Sequence, residues 1–168
     1  MTNAHVVAGE QEGDTVVQPR GGGVRYAATA IAFDSRNDVA VLRVSELPAP
    51  PLRFARAVSV GEPGAAQGYP LSGPFDIEPA RIGSTQTVLT QDAYGRRLVR
   101  RRITSFRGDV QPGNSGGPIV DAAGRVSATV FAKSTSGGPE GGFAIPNDIV
   151  RDTLRSASGQ VGTGPCAR

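Results

Sequence analysis

The sequence predicts an all-β fold that ends in one helix. Short apolar segments alternate with turns along all 168 residues, because the 23 glycines and 13 prolines are spread between segments and do not form one linker. Residues 125–133 alternate between two sets of side chains with period two, as a half-buried strand does. Helical periodicity occurs only after Asn147. Such frequent turns between short segments are typical of a β-sandwich or a β-barrel.

The first half of the chain is predicted to contain three strands. An alanine-rich segment with β-branched and aromatic residues precedes a turn of sequence Asp-Ser-Arg-Asn, and a strongly apolar segment follows that turn. Prolines then keep the next connection extended. Two predicted strands cover residues 24–33 and 39–44, and residues 58–66 lead into a third that ends at the Gly-Tyr-Pro of residues 68–70. A boundary near residues 70–76 divides the chain into an N-terminal half, 1–72, and a C-terminal half, 73–168.

The second half is predicted to contain five strands, a helix and an irregular tail. Residues 80–89 and 98–106 are expected to pair around a turn at residues 92–95, and short strands at 119–120 and 142–145 flank the alternating segment. Asn147 is a candidate cap for the helix. The predicted apolar face of the helix consists of Ile149, Val150, Thr153, Leu154 and Ala157.

Composition narrows the classes of protein. Hydrophobic residues make up 38% of the chain, and the core must be mainly aliphatic because aromatic residues reach only 5%. No run of 18 apolar residues exists, so no membrane span is expected within the chain. With one histidine and one cysteine, the chain lacks the usual ligands of a zinc site, and neither a metal nor a cofactor is expected.

The densest basic stretch admits two interpretations. The chain has a net charge of +3, and its arginines cluster at positions 96, 97, 100, 101 and 102. A nucleic-acid-binding β-barrel is one interpretation, but no aromatic residues suited to base stacking interleave the arginines. We therefore favour a solvated face of a surface hairpin, and we expect no nucleic-acid partner.

The segment Gly-Asn-Ser-Gly-Gly-Pro at residues 113–118 has the features of a nucleophile turn. A serine hydroxyl is a weak nucleophile that has to be presented at a tight turn near a base. Glycines on both sides of Ser115 permit such a turn, and the amides of Gly113 and Ser115 are candidates for an oxyanion hole. The alternative is that the segment is an ordinary hairpin turn.

His5 and Asp38 are the candidate partners of Ser115. His5 is the only imidazole in the chain, so it is the only candidate for a histidine base. Asp38 precedes a buried strand, where a carboxylate needs a hydrogen-bonding partner, and an imidazole Nδ1–H would satisfy it. Alternatively, His5 is structural and Asp38 caps the preceding turn. Because only four residues precede His5, we expect it to be held loosely.

Together these motifs resemble a known family. Thr-Asn-Ala-His at residues 2–5, Asn-Asp-Val-Ala-Val-Leu at 37–42 and the serine motif at 113–118 resemble the three catalytic motifs of chymotrypsin-fold serine proteases in their HtrA-like form. The resemblance implies two six-stranded-type β-barrels with a C-terminal helix, the first barrel incomplete at its N-terminus. It implies catalytic roles for His5, Asp38 and Ser115, and a protein or peptide substrate.

Two further segments resemble one subgroup of this family, and this resemblance bears on the cellular location of the protein. The Gly-Tyr-Pro at residues 68–70 and the tail Val-Gly-Thr-Gly-Pro-Cys at 161–166 are similar to the protease domain of actinobacterial membrane-anchored acid-resistance (MarP-like) proteases. This implies a periplasmic domain, tethered by transmembrane helices outside this chain and acting in envelope stress. It also implies a disulfide partner for Cys166 upstream of the chain. The oligomeric state is not indicated.

Substrate specificity is predicted at two places. Asp109 lies six residues before Ser115, where the resemblance implies the acid that selects lysine or arginine before the scissile bond. The alternative is a loop residue that faces solvent or Arg107. Backbone pairing with substrate is expected at Val130, Phe131 and Ala132, by strand addition.

Two functions are compatible with the sequence. The first is a serine endopeptidase that uses Ser115, His5 and Asp38. The second is a catalytically impaired protease-fold module that binds peptides or partners.

Overall fold

The computed structural model describes residues 1–11, 13–19, 23–134 and 140–167, and it confirms the all-β prediction with one C-terminal helix. The described residues form nine strands, and all but the first were predicted. Val16–Val17 is too short to show a period in the sequence. The elements are β1 (Val16–Val17), β2 (Tyr26–Asp34), β3 (Val39–Val44), β4 (Pro63–Gly68), β5 (Asp76–Gln91), β6 (Leu98–Arg107), β7 (Pro118–Val120), β8 (Val126–Lys133), β9 (Gly141–Pro146) and α1 (Asn147–Ser156).

The strands form two sheets. The first has three antiparallel strands in the order β1-β2-β3, and the second is a closed barrel in the order β4-β5-β6-β9-β8-β7. Of the two six-stranded-type barrels that the family resemblance implies, only the second is closed within the described residues.

Two compact units divide the chain, and each draws on separate stretches of sequence. The first, unit 1, comprises Met1–Pro50, Leu89–Arg101 and Ile149–Arg168, and the second, unit 2, comprises Pro51–Val88 and Arg102–Asp148. The predicted division at residue 72 concerns two continuous halves and stays a prediction.

Unit 1 contains the three-stranded sheet, and the C-terminal tail lies along it. The amides of Ser158 and Val161 donate to the carbonyls of Ile31 and Ala30 in β2, at 3.3 and 2.9 Å. Further on, the Thr163 hydroxyl donates to the carbonyl of Glu10 at 2.8 Å. The tail that the sequence predicts as irregular is thus fixed by backbone pairing.

Unit 2 contains the barrel, whose core is aliphatic as predicted. Ile119, Ala128, Val130 and Ala144 are fully buried there. The prediction that β8 is half-buried was wrong, because the strand is buried on both faces from its start to Phe131.

A further segment pairs with the start of β8. The backbone around Phe54 pairs with the start of β8, where Ala55 donates to the carbonyl of Val126 and Val126 donates to the carbonyl of Arg53, both at 2.8 Å. Asn147 donates its side-chain amide to the same Val126 carbonyl at 2.7 Å. Period two in the sequence therefore separates an aliphatic face from a more polar face, and both faces are buried.

The helix α1 begins at Asn147, where the sequence predicts its start. Val150 and Thr153 form its buried face, while Leu154 is 42% exposed. The buried face of α1 is therefore narrower than the apolar face that the sequence predicts.

A buried carboxylate organises the turn between β5 and β6. Asp92 accepts hydrogen bonds from the backbone amides of Tyr94, Arg96 and Arg97. The Arg96 amide is the main cause that lowers the pKa of Asp92, those of Arg97 and Tyr94 add to it, and burial opposes them. Tyr94 in the same turn stacks on Phe33 of β2, with ring centroids 5.9 Å apart.

Replacing Asp92 by asparagine is expected to lower the free energy of unfolding at neutral pH by roughly 1–2 kcal/mol, because hydrogen bonds to a charged acceptor are lost. The folded-state pKa of Asp92 lies below its unfolded value of about 3.9, so its contribution is present above that pH and is lost as the pH falls through the folded value. Urea unfolding between pH 2 and 7 should show a flatter acid dependence in the variant. Asp152→Asn, which alters an exposed pair with Arg155, is the control and should leave the dependence unchanged.

Candidate active site

His5 and Asp38 lie in direct contact within unit 1. The Nδ1 atom of His5 is 2.7 Å from Oδ2 of Asp38, and the backbone amide of His5 donates to Oδ1 of the same carboxylate at 2.8 Å. Asp38 is 2% exposed, whereas the His5 side chain is 32% exposed. The carboxylate therefore fixes both the backbone and the ring of His5, and the ring's other nitrogen, Nε2, is not part of this contact.

The segment that carries His5 is anchored on both sides, so the expectation of a loosely held histidine was wrong. Thr2 exchanges two backbone hydrogen bonds with Ala40 of β3, at 3.0 and 2.9 Å. The fully buried Asn3 donates its side-chain amide to the carbonyl of Asp38 at 3.0 Å. One 3₁₀ turn, Ala4–Val6, then presents the imidazole.

Asp38 does not cap the turn before it. Asp34 has that role, since its carboxylate accepts from both the backbone and the side-chain amide of Asn37, at 2.9 and 2.6 Å. Asp38 itself has a φ of 62°, which is uncommon for a residue other than glycine. This left-handed backbone marks Asp38 as a position where local strain is maintained by the hydrogen bonds to Asn3 and His5.

The serine turn lies in unit 2 and is held by its own backbone. The Asn114 amide donates to the carbonyl of Gln111 at 3.1 Å, and the Gly117 amide donates to the carbonyl of Asn114 at 2.9 Å. Among the hydrogen bonds of the described residues, none uses the amide of Gly113 or Ser115. These two amides remain available to a ligand, as an oxyanion hole requires.

Glycine is required in this turn because β4 and the residue after it approach its backbone closely. A Cβ atom on Gly113, which has a φ of +100°, would clash with the carbonyl oxygen of Tyr69. A Cβ atom on Gly117 would clash with the carbonyl oxygen of Gln67. The shape of the turn therefore depends on backbone packing against β4.

Val130 supports the serine turn from β8. Its amide donates to the carbonyl of Gly117 and its carbonyl accepts from the amide of Gly116, both at 2.9 Å. Its side chain is fully buried in the barrel core. Both backbone groups of Val130 are thus used within the protein, while substrate pairing along β8 at Phe131 and Ala132 stays a prediction.

Asp109, the predicted specificity residue, is partly exposed and has two partners. The side-chain amide of Gln111 donates to both of its carboxylate oxygens at 2.9 Å, and Nζ of Lys133 lies 3.3 Å from Oδ1. The hydrogen bond from Gln111 foremost, and then Lys133, lower the pKa of Asp109. The cation that pairs with Asp109 is therefore Lys133 and not Arg107, and part of the Asp109 side chain faces solvent.

The arginine cluster is not a single solvated face, and the sequence analysis missed this. Three of its five members lie within 4.0 Å of a carboxylate, and one of them, Arg101, is 6% exposed and faces Asp38. The alternation along β6 was the available signal, because Arg101 is two residues before the buried Ile103. The pairs are Arg97 with Asp92, Arg101 with Asp38 and Arg102 with Asp148.

The remaining predictions concern Cys166, metal binding and membrane-spanning segments. Cys166 is exposed and unpaired in the chain, and the backbone and thiol at Cys166 lie so close to Gly9 that a Cβ atom there would overlap them. The described residues contain no cluster of three side chains suited to bind a metal ion. None of their helices is long and apolar enough to cross a membrane.

Comparison with known sequences identifies relatives along the whole chain. The trypsin-like peptidase domain matches residues 1–128. The serine protease Rv3671c of Mycobacterium tuberculosis (strain H37Rv) is 38% identical over 170 residues, which cover 99% of this chain and 42% of that protein. A probable periplasmic serine endoprotease, DegP-like, from Pseudomonas savastanoi is 33% identical and covers 98% of this chain and 34% of that protein. The chain therefore spans less than half the length of these curated relatives.

Solved structures agree with the sequence comparison. The crystal structure of the active form of the Rv3671c protease has a TM-score of 0.89 at 37% identity, over 99% of this chain and 73% of that chain. The HtrA-type protease AlgW with a bound decapeptide has a TM-score of 0.78 at 28% identity, over 92% of this chain and 46% of that chain. The fold predicted from the motifs is thereby confirmed.

Replacing Gly117 by alanine is expected to cost about 1–3 kcal/mol of stability, because the new methyl group meets the backbone of Gln67 and not a movable side chain. Thermal unfolding measures the loss. Gly159→Ala is the matched control, since a Cβ atom there meets nothing within 4 Å, and it should unfold within a degree or two of the original chain. Equal melting temperatures for the two variants would contradict this close packing.

Proposed function

This chain belongs to the trypsin-like peptidase family as a serine protease of the HtrA-like type, and on that premise we propose that it cleaves peptide bonds through Ser115, His5 and Asp38. Ser115 Oγ attacks the carbonyl carbon of the scissile bond. His5 Nε2 accepts the serine proton and later donates it to the leaving amine. The amides of Gly113 and Ser115 stabilise the oxyanion that forms.

The contact between His5 and Asp38 is the observation that carries this proposal. A carboxylate at 2.7 Å from Nδ1 holds the proton of a neutral imidazole on that nitrogen, which leaves Nε2 unprotonated and basic. The same carboxylate stabilises the imidazolium that forms after proton transfer. No other imidazole exists in the chain to supply this function.

Two further observations support the roles of the serine turn. Glycine at positions 113 and 117 is required by packing, which keeps the turn in one shape before substrate arrives. The amides of Gly113 and Ser115 have no acceptor among the described residues, so no protein hydrogen bond has to break when an oxyanion binds. A turn arranged in this way is suited to stabilise a transition state.

The substrate and the location are proposed from the relatives. One relative is described as periplasmic and another was solved with a decapeptide, so we expect this chain to act on proteins or peptides outside the cytoplasm. Tethering by a membrane segment outside this chain, a disulfide from Cys166 to such a segment, and a role in acid resistance or envelope stress are parts of the same proposal. No nucleic acid is involved in it.

Asp109 is proposed to shape the pocket for the residue before the scissile bond, with its charge partly offset by Lys133. A lone carboxylate would favour lysine or arginine in that pocket. A carboxylate already paired with a cation attracts a second cation less strongly. The pair therefore reduces selection for basic residues.

Replacing Ser115 by alanine is expected to lower kcat for peptide hydrolysis by about 10⁶-fold, because the three residues act as a unit. Asp38→Asn should lower kcat by about 10⁴-fold, since an asparagine favours the wrong tautomer of His5. Hydrolysis of a fluorogenic peptide and labelling by a fluorophosphonate probe are the measurements, with Ser45→Ala, an exposed site, as the control. A folded original chain that is neither active nor labelled at Ser115 would instead support a peptide-binding module.

Replacing Lys133 by methionine is expected to raise the preference for arginine over leucine before the scissile bond by about two- to fivefold, the range for a partly exposed charge pair. The measurement is the ratio of kcat/KM for two peptides that differ only at that residue. Arg107→Met, which removes the other cation considered for Asp109, should leave the ratio unchanged. An unchanged ratio in Lys133→Met would show that Asp109 does not face the pocket.

A further inference from the structure

Arg101 is a buried cation beside the carboxylate that holds His5. Its guanidinium Nη1 lies 4.0 Å from Oδ2 of Asp38, and the two side chains are 5% and 4% exposed. The distance is longer than a hydrogen bond, so Arg101 contributes charge without displacing the His5 Nδ1 contact at 2.7 Å on the same oxygen.

The position of Arg101 is fixed by the segment in which it lies. In unit 1 the Ala93 amide donates to the carbonyl of Ser35 at 2.9 Å, and the Arg36 guanidinium donates to the carbonyl of Arg100 at 3.1 Å. Both contacts attach the end of the β5–β6 hairpin to the turn that precedes Asp38. The next residue along β6, Arg101, is thereby placed against the Asp38 carboxylate.

The buried carboxylate of Asp38 needs a positive charge nearby while His5 is neutral. A general base has to be neutral before the reaction, so in that state His5 offers Asp38 hydrogen bonds but no positive charge. A buried carboxylate without a counter-charge is costly and tends to take up a proton. Arginine is the side chain best suited to supply a permanent charge, because it stays protonated even when buried.

The surrounding charges are consistent with an arginine that remains ionised. Burial lowers the pKa of the Arg101 guanidinium, and the carboxylates of Asp38, Asp34 and Asp92, in that order, oppose the shift. The charges of these three acids act on the guanidinium, and His5 contacts the same Oδ2 atom of Asp38. A guanidinium starts so far above neutral pH that it retains its proton under these conditions.

We propose that Arg101 is a positioning residue that acts through Asp38: it keeps the carboxylate ionised while His5 is neutral, and it disfavours protonation of His5 outside the catalytic step. This inference rests on the proposed function. We therefore expect that removing the charge of Arg101 moves the acid side of the pH dependence of activity to higher pH.

The test compares the original chain with Arg101→Met, which keeps an unbranched side chain and removes its charge. In the variant, kcat/KM is expected to fall on the acid side at a pH about half a unit or more higher than in the original chain. The reason is that the positive charge that repels the imidazolium is gone. We expect kcat at its optimum to fall by roughly 10- to 100-fold, with KM changed less than about threefold, because the base is less well positioned. Arg101→Lys retains the charge and should keep the acid side of the profile near its original place.

A spectroscopic readout separates this inference from the proposed function. His5 is the only histidine, so a sample labelled with ¹³C-histidine gives one ring signal whose titration needs no activity. In the Ser115→Ala background, Arg101→Met should shift that titration to higher pH, and Arg100→Met, an exposed neighbour on the same strand, should not. An unchanged ring titration in a folded Arg101→Met chain overturns the role of Arg101.

The two proposals fail in different ways. Peptide hydrolysis that is the same before and after Ser115→Ala would overturn the proposed function, while the ring titration would still test Arg101. If Arg101→Met does not fold, Arg101→Gln removes the charge, keeps a polar end group in the buried site and takes its place in both measurements. A titration of Arg101→Gln that matches the original chain would overturn the inference as well.

Discussion

The buried carboxylate of Asp38 is the group on which the candidate site depends. It accepts a hydrogen bond from the backbone amide of His5 and contacts Nδ1 of the His5 ring. The Asn3 side chain donates to the backbone carbonyl of Asp38. One side chain therefore positions a 3₁₀ turn, selects a tautomer and joins the start of the chain to β3. An ionised group is costly to bury without compensation, and His5 and Arg101 supply hydrogen bonds and positive charge to this one.

The serine turn solves a different problem by backbone packing. Its shape is set by glycines that admit the carbonyls of Tyr69 and Gln67, and by Val130, which bonds to Gly116 and Gly117. The buried Asn114 side chain adds one hydrogen bond, which it accepts from the Gln111 amide at 3.0 Å, while the amides of Gly113 and Ser115 stay available. In unit 1, His5 is thus held by hydrogen bonds to a buried carboxylate. In unit 2, the serine turn is held mainly by close backbone packing at glycines.

Local patterns in the sequence were sufficient for the strands of the barrel, the start of α1 and the residue types of the candidate site. What they did not show depends on contacts between distant stretches. Alternation along β6 indicates that Arg101 shares a face with Ile103, but nothing nearby in the sequence indicates that β6 brings it to Asp38, 63 positions earlier. The pairing of the segment around Phe54 with the start of β8 was missed for the same reason, since that segment has no period of its own.

The attachment of the tail to β2 has a consequence for the order in which the protein is made. Unit 1 combines residues from the beginning, the middle and the end of the chain, and the bond from Thr163 to Glu10 spans nearly its full length. Chains are synthesised from the N-terminus, and contacts between residues far apart in sequence form late. The surroundings of His5 and Asp38 are therefore complete only after the ribosome has added residue 163, so a nascent chain carries both residues long before their surroundings are in place.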